Sequence, residues 1–398
     1  MRLANLFHSI GPGKLRSVLL SSWALFFGLV AITMSSGLQG PLLAIRAFDE
    51  GFDTSNTGLV MAGYYAGFLL GGVLAPTLIR HAGHPRVFAA VASIASGTTL
   101  LFALFPDLVL WFLLRFTTGF CFATIFIVTE TWLNQSSAND TRGRTMNFYL
   151  VLHYGGLGVG ALLLNMGNPQ KYDLFVLASV LVSFGIVPIL LSAKPVPDFH
   201  TPKRLPIAVL FRKARLGVGV AFLCGLTEGA LLGAGAIFAD KAGFSTTEVS
   251  IFMSVMFVGC LIFMWPIGVL ADRHDRSKVI ITIAVIAALA AFQLAALSLD
   301  QVIPIFLLIG LYAGLGLSMY GLCLAAVNDQ LEKDEMVGSG ATLYIVFSLG
   351  MMLGPAISTE IIEAGRPSDY FLYHAAVQVL TILYVIALMT RRRTAVAR

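Results

Sequence analysis

The sequence predicts an all-α membrane protein of twelve transmembrane helices arranged as two related six-helix bundles. Three observations carry that expectation. Hydrophobic residues make up 57% of the 398 and charged residues only 12%, about half the charged share of a soluble domain. With a mean hydropathy of +0.85, the chain cannot build a water-exposed surface. Twelve runs approach or exceed the roughly 20 apolar residues that a spanning helix needs. The second half of the chain also repeats features of the first at a nearly constant spacing.

In chain order the first six runs cover about 17–43, 57–79, 87–106, 108–133, 146–167 and 172–192. The first carries the polar residues Thr33, Ser35, Ser36 and Gln39, possible contacts for a solute. The fourth, "RFTTGFCFATIFIVTETWLN", carries Arg115 and Glu130. The fifth, "FYLVLHYGGLGVGALL", carries His153 among glycines that let helices approach closely. A middle stretch of about 193–214 holds four prolines and a cluster of bases, so it reads as a linker ending in a short interfacial helix. The remaining six runs cover about 215–239, 248–271, 278–298, 302–327, 340–362 and 371–390. The seventh contains Glu228, the tenth Tyr312 and Tyr320, and the eleventh the Gly-Pro pair of "GMMLGPAIS". The domains expected are therefore 1–192, the linker 193–214, and 215–398.

The four cysteines, Cys121, Cys224, Cys260 and Cys323, all fall inside apolar runs. They read as small buried residues, not as a disulfide or metal set. No cleavable signal peptide is evident. Twelve spans put both termini on one side, and that side with the linker and alternate loops receives 21 of the 26 Lys and Arg. The positive-inside rule makes it cytoplasmic, in a plasma membrane (the inner membrane of a Gram-negative cell). No basic block interleaves with exposed aromatics, so nucleic acid is not expected as a partner. No GxxxxGK[ST] loop appears, so ATP is not the direct energy source. The few His and acidic residues lack nucleophile–base or metal spacing, so neither an enzyme nor a cofactor is expected.

The repeat is visible in residues. "GVLA" stands at 72–75 and again at 268–271, and at an offset of 195 Gly119 matches Gly314, Gly143 matches Gly338, Tyr149 matches Tyr344 and Gly155 matches Gly350. At this point the chain resembles the major facilitator superfamily of secondary transporters. "GVLADRHDRSKV", 268–279, is similar to that family's loop signature between the second and third spans of a half. The N-terminal copy keeps Gly72, Arg80, Gly83 and Arg86 but has Pro76 where the family has an acid. "RFTTG", 115–119, is similar to the fourth-span motif, and "TETWLN" followed by "TRGR" resembles the YcaD-like branch, whose substrates are largely undefined.

The resemblance implies alternating access around a cavity lined by the first, fourth, seventh and tenth spans. It favours Asp272, with Arg273 and Arg276, as a latch on the cytoplasmic side. Glu130 lies near the cytoplasmic end of its span, where it can act as a gate or partner of Arg142, Arg144, Arg80 and Arg86. Arg115 lies about 10 Å inside the far end of the same span and about 22 Å from Glu130, too far for a direct pair on a straight helix. A buried arginine needs a cavity or a partner. Glu228, some 20 Å into the seventh span, lies at similar depth. Arg115 and Glu228 are thus expected to face one another, or one substrate, across the two halves, with Glu228 as proton carrier. Arg115, Glu228, His153, Gln39, Tyr312 and Tyr320 form the expected pathway set. The function expected is proton-coupled transport of a small organic solute by a monomer in the lipid bilayer. A lipid or lipophile flippase and a non-transporting membrane sensor are the alternatives.

Overall fold

The structure, a computed structural model, describes residues 22–137, 141–191 and 205–396. The helices of the first half are α1 (Trp23–Asp49), α2 (Thr54–Ala82), α3 (His84–Leu104), α4 (Leu108–Ser136), α5 (Arg142–Leu162) and α6 (Asp173–Leu191). A short helix α7 (Ile207–Lys213) stands between the halves. The second half contains α8 (Arg215–Lys241), α9 (Thr246–Arg273), α10 (Arg276–Ala296), α11 (Val302–Leu317), α12 (Met319–Asn328), α13 (Lys333–Ala364) and α14 (Asp369–Val396). Apart from α7, these helices make twelve spans long and apolar enough to cross a membrane, α11 and α12 together forming the tenth.

Two expectations about the spans shift. The first span, read as 17–43, runs through Pro41 to Asp49; its expected first residues, 17–21, lie outside the described residues. The stretch after Pro41 is apolar enough to stay helical, and Arg46 satisfies its charge on Glu50 one turn on, at 2.5 Å, and on the carbonyl of Gln170. The tenth span, read as continuous, is interrupted at Ser318, whose hydroxyl donates back to the carbonyl of Gly314 at 2.7 Å. Most of the linker, 193–204, lies outside the described residues, while the short helix expected at its end is α7.

Local chemistry starts the helices. Asp53 and Asp107 accept hydrogen bonds from Asn56 N and Leu110 N at the starts of α2 and α4. Ser245 and Glu248 form a capping box at the start of α9, and Asp275 caps α10. Such groups satisfy amides that the first helical turn leaves unbonded. The turn after α1 recurs after α8. Gly51 (φ 83°) and Gly243 (φ 82°) each take the left-handed conformation that suits glycine. In both turns the residue after the glycine bonds back five positions, Phe52 to Ala47 and Phe244 to Ala239.

Packing repeats with the turns. In the first half α2 packs on α4, α1 on α5 and α6, and α3 on α4 and α6; in the second, α9 packs on α11, α8 on α13 and α14, and α10 on α11 and α14. The halves meet through α2 against α13 and α5 against α9, with α1 against α8 between them. The outcome is two pseudo-symmetric six-span bundles around a central seam.

A candidate substrate site between the two halves

One crossing sets the N-terminal side of the site. A Cβ on Gly67 would overlap the Phe116 carbonyl, and one on Gly119 would overlap that of Tyr64. Glycine at both positions lets α2 and α4 touch backbone to backbone. Arg115 lies one turn before Gly119, so its guanidinium lands over the ring of Tyr64, 4.5 Å from the centroid, a cation–π geometry. Ser36 of α1 lies beside the Tyr64 hydroxyl. Arg115 is 5% exposed, and its Nε has no hydrogen-bond partner.

On the other side α8 carries Glu228, also 5% exposed, with Oε1 unpartnered. Its charge reaches Tyr65 of α2, Tyr154 of α5, Cys260 of α9 and Tyr320 of α12, and on its own helix it feels Cys224. Among the described residues Arg115 and Glu228 form no ion pair with each other. Tyr65 lies within electrostatic reach of both. Arg115 thus meets Tyr64 directly, while Tyr65, next to it on α2, feels both charges.

Aromatic rings line the space from both halves. Tyr64 stacks on Phe68 at 5.8 Å, Phe68 meets Tyr344 of α13 at 5.8 Å, and Tyr320 meets Phe347 at 4.5 Å. His153 sits edge-on to Phe126 at 4.7 Å and to Tyr154 at 5.3 Å, and its Nδ1 is unpartnered. Tyr154 in turn approaches Phe257 of α9 at 6.5 Å.

The remaining expected pathway residues lie elsewhere. Gln39 donates from Nε2 to Ser35 and Thr99, both at 3.2 Å, inside the first half. Ser35 donates to the Ala178 carbonyl and Thr33 to that of Leu29. Tyr312 is fully buried within the second half, its hydroxyl 2.9 Å from His374 Nδ1. All four cysteines are buried and unbridged, Cys224 and Cys323 standing 3.9 Å apart at sulfur.

The two membrane faces differ. On the face away from α7, the far side, the halves are bonded together. Thr54 N donates to Glu363 at 3.3 Å, Asn165 Nδ2 donates to Ser250 at 2.7 Å, and the Lys241 ammonium lies 4.7 Å from the centroid of Phe48. Toward the linker side Glu130 is exposed, within reach of Tyr149 of α5, Tyr320 of α12 and Tyr344 of α13. It therefore looks into the cleft between the halves. Among the described residues it makes no ion pair, so it is not joined here to Arg80, Arg86, Arg142 or Arg144. Of the expected latch, Asp272 and Arg273 are exposed, while Arg276 is ion-paired to Asp329 at the end of α12. That contact lies within the second half.

Tyr64, Tyr65, Tyr154 and Asp329 had not been singled out in the sequence. The tyrosine pair does leave a signal: "GYYAG", 63–67, sets two large polar rings between the small residues of a tight crossing.

Comparison with known proteins accords with this architecture. The profile of the Major Facilitator Superfamily matches residues 25–216 and again 217–398. The chain belongs to the major facilitator superfamily, and it is a multi-pass membrane protein of a transporter family. Among its relatives is the uncharacterized MFS-type transporter YcaD of Escherichia fergusonii, 25% identical over 367 residues, covering 91% of this chain and 94% of that one. A YcaD protein of Escherichia coli O17:K52:H18 is 24% identical over the same shares. Among solved structures, the nucleoside transporter NupG superimposes with a TM-score of 0.74 at 16% identity, over 94% of this chain and 98% of that one. The D-xylose-proton symporter gives 0.73 at 13%, over 92% and 96%. At these identities the structural likeness concerns the fold.

Proposed function

We propose that the protein is a secondary active transporter that moves a small organic solute across the cytoplasmic membrane by alternating access, with proton coupling at Glu228. The observation that carries this reading is a carboxyl group 5% exposed and unpartnered on one oxygen, set at the seam of two halves that repeat the same internal packing. An ionised carboxylate is costly there, whereas a protonated one is tolerated. A group alternating between these forms links proton binding to the state of the seam. The groups facing it are Tyr65, Tyr154, Cys260 and Tyr320 from neighbouring helices and Cys224 on its own helix.

Residues 1–192 and 215–398 would rock as units about the seam, with the linker side cytoplasmic by its excess of Lys and Arg. The bonds of the far side would break as the cleft opens there. Glu130 and the pair Arg276–Asp329 would be rearranged as the linker side closes. The test is flux in proteoliposomes under an imposed pH gradient, across a broad solute panel. Glu228→Gln and Glu228→Ala are expected to remove pH-driven accumulation; unchanged accumulation in both variants defeats the coupling role.

A flippase would need an apolar, laterally open cavity in which Arg115 meets a headgroup. An apolar crevice of about 370 Å³ does lie beside α7, lined by Phe211, Val218, Phe222 and Tyr384 among others, but Arg115 is not part of it. The solute reading is therefore the better supported one.

A further inference from the structure

The central site holds two opposite charges that are buried, unpaired with each other and carried by opposite halves. Arg115 has a free Nε and Glu228 a free Oε1, and each residue is 5% exposed. Buried polar groups without partners are costly, and charged ones most of all. Each therefore keeps the capacity to take a partner from outside the protein.

The neighbouring rings narrow the choice. Tyr64, Tyr65, Phe68, Tyr154 and Phe126 present ring faces and edges. A purely cationic solute at Glu228 would lie near the like charge of Arg115. A purely anionic solute at Arg115 would lie near Glu228. A neutral polyol would leave both charges without a counter-charge and lay hydroxyls against rings. With Glu228 ionised, only a solute bearing both charges answers both residues.

We propose that the solute is a zwitterion whose charges stand at opposite ends of an apolar or aromatic body, the cationic end meeting Glu228 and the anionic end meeting Arg115. That the ends are spaced follows from the two charges making no direct pair although both act on Tyr65. Arg115 offers a planar fork suited to a carboxylate. The rings offer flat contacts for the body and add cation–π attraction for the ammonium end. Solute binding then bridges the halves, which is what couples occupancy to rocking.

This inference rests on the transport reading for its role in a cycle but not for its test, which is binding to the purified full-length protein in detergent. The probes are 4-(aminomethyl)benzoate, a spaced zwitterion, and its single-charge relatives benzylamine and benzoate. Phenylalanine, with both charges on one carbon, is the short-spaced control. The readouts are equilibrium binding and the shift in melting temperature. The spaced zwitterion is expected to bind at least about tenfold more tightly than any of the other three, the loss that follows when one charge-assisted bond is removed. Arg115→Gln and Glu228→Gln should each erase that advantage, with the melting temperature of the unliganded variants reporting that they are folded. Benzylamine binding as tightly as the zwitterion overturns the proposal. So does an Arg115→Gln variant that binds the zwitterion unchanged, or the absence of binding by every probe at millimolar concentration. If the binding pattern holds and no flux is found, the transport reading fails and the zwitterion site stands. If pH-driven flux is found for a solute outside this class, the class fails and transport stands.

Discussion

The two halves share a scaffold but not their charges. The crossing at Gly67 and Gly119 between α2 and α4 has its counterpart between α9 and α11, where a Cβ on Gly259 would overlap the Gly310 carbonyl and one on Gly314 would crowd that of Gly259. The turns at Gly51 and Gly243 match in conformation and in hydrogen bonds. The charges break the pattern. The residue 195 positions after Arg115 is Gly310, a packing glycine, and the residue of α1 that the matched turns, 192 positions apart, place opposite Glu228 is Ser36. Duplication accounts for where helices touch, because backbone contact tolerates only glycine. Each charge was placed on one copy alone, which gives the seam a cationic wall and an acidic wall.

The sharpest way to break this comparison is to exchange the two kinds of residue. Glu228→Gln is expected to abolish accumulation driven by a pH gradient while leaving solute exchange across the membrane measurable. Moving the acid to its counterpart, in Ser36→Glu combined with Glu228→Ser, should not restore accumulation, because Ser36 lies beside Tyr64, over which Arg115 stands, so the acid would join the cationic wall. Restored accumulation would mean that the halves are functionally interchangeable. The scaffold should respond symmetrically instead. Gly67→Ala and Gly259→Ala each force a methyl into a neighbouring carbonyl, at a cost of about 1–3 kcal/mol. Similar falls in melting temperature are expected from both; a fall in only one would show that the crossings are not equivalent. Arg115→Lys keeps the charge but loses the flat guanidinium face over Tyr64. Solute binding should weaken by about tenfold or less, as the size of an exposed-to-buried cation–π contact implies.

The scaffold was legible in the sequence because it is written in long periodic signals: apolar runs, glycines at one offset, and bases gathered on alternate loops. The site was legible only in part. Arg115 and Glu228 stand out because a charge in an apolar run has no other account. Their relation does not, since it runs through the neighbouring Tyr64 and Tyr65, and tyrosines in a membrane helix also serve packing. Tyr312 shows the converse. It lies in a cavity-lining span by family resemblance, yet points into the second half toward His374, because sequence gives the span but not the face. Glu130 was expected beside loop bases because they neighbour it along the chain, but it looks across the cleft at rings of both halves.

The smallest expected effect concerns another asymmetry, the packing of the linker helix α7 on α8 and α13 of the second half. Lys213 is ion-paired to Glu335 near the start of α13, and Thr342 donates to the Leu205 carbonyl at 2.6 Å. The hydrogen bond from Lys213 holds the Glu335 carboxyl below the usual glutamate range. A carboxyl depressed in the folded state contributes its stabilisation above its unfolded pKa and loses it as pH falls through the folded value. The pair is partly exposed, so solvent screens it and the effect on global stability is small. Its local effect is readable by hydrogen exchange over 207–213. Exchange there should rise modestly as pH drops below the glutamate range, after correction for the intrinsic pH dependence of exchange, and Lys213→Ala should show the raised level already at neutral pH. The Thr342→Val variant should raise exchange at both pH values, because its bond carries no titrating group. If Lys213→Ala leaves exchange in α7 unchanged, the helix is held by its apolar face, Leu210 included, and the ion pair contributes nothing to the attachment.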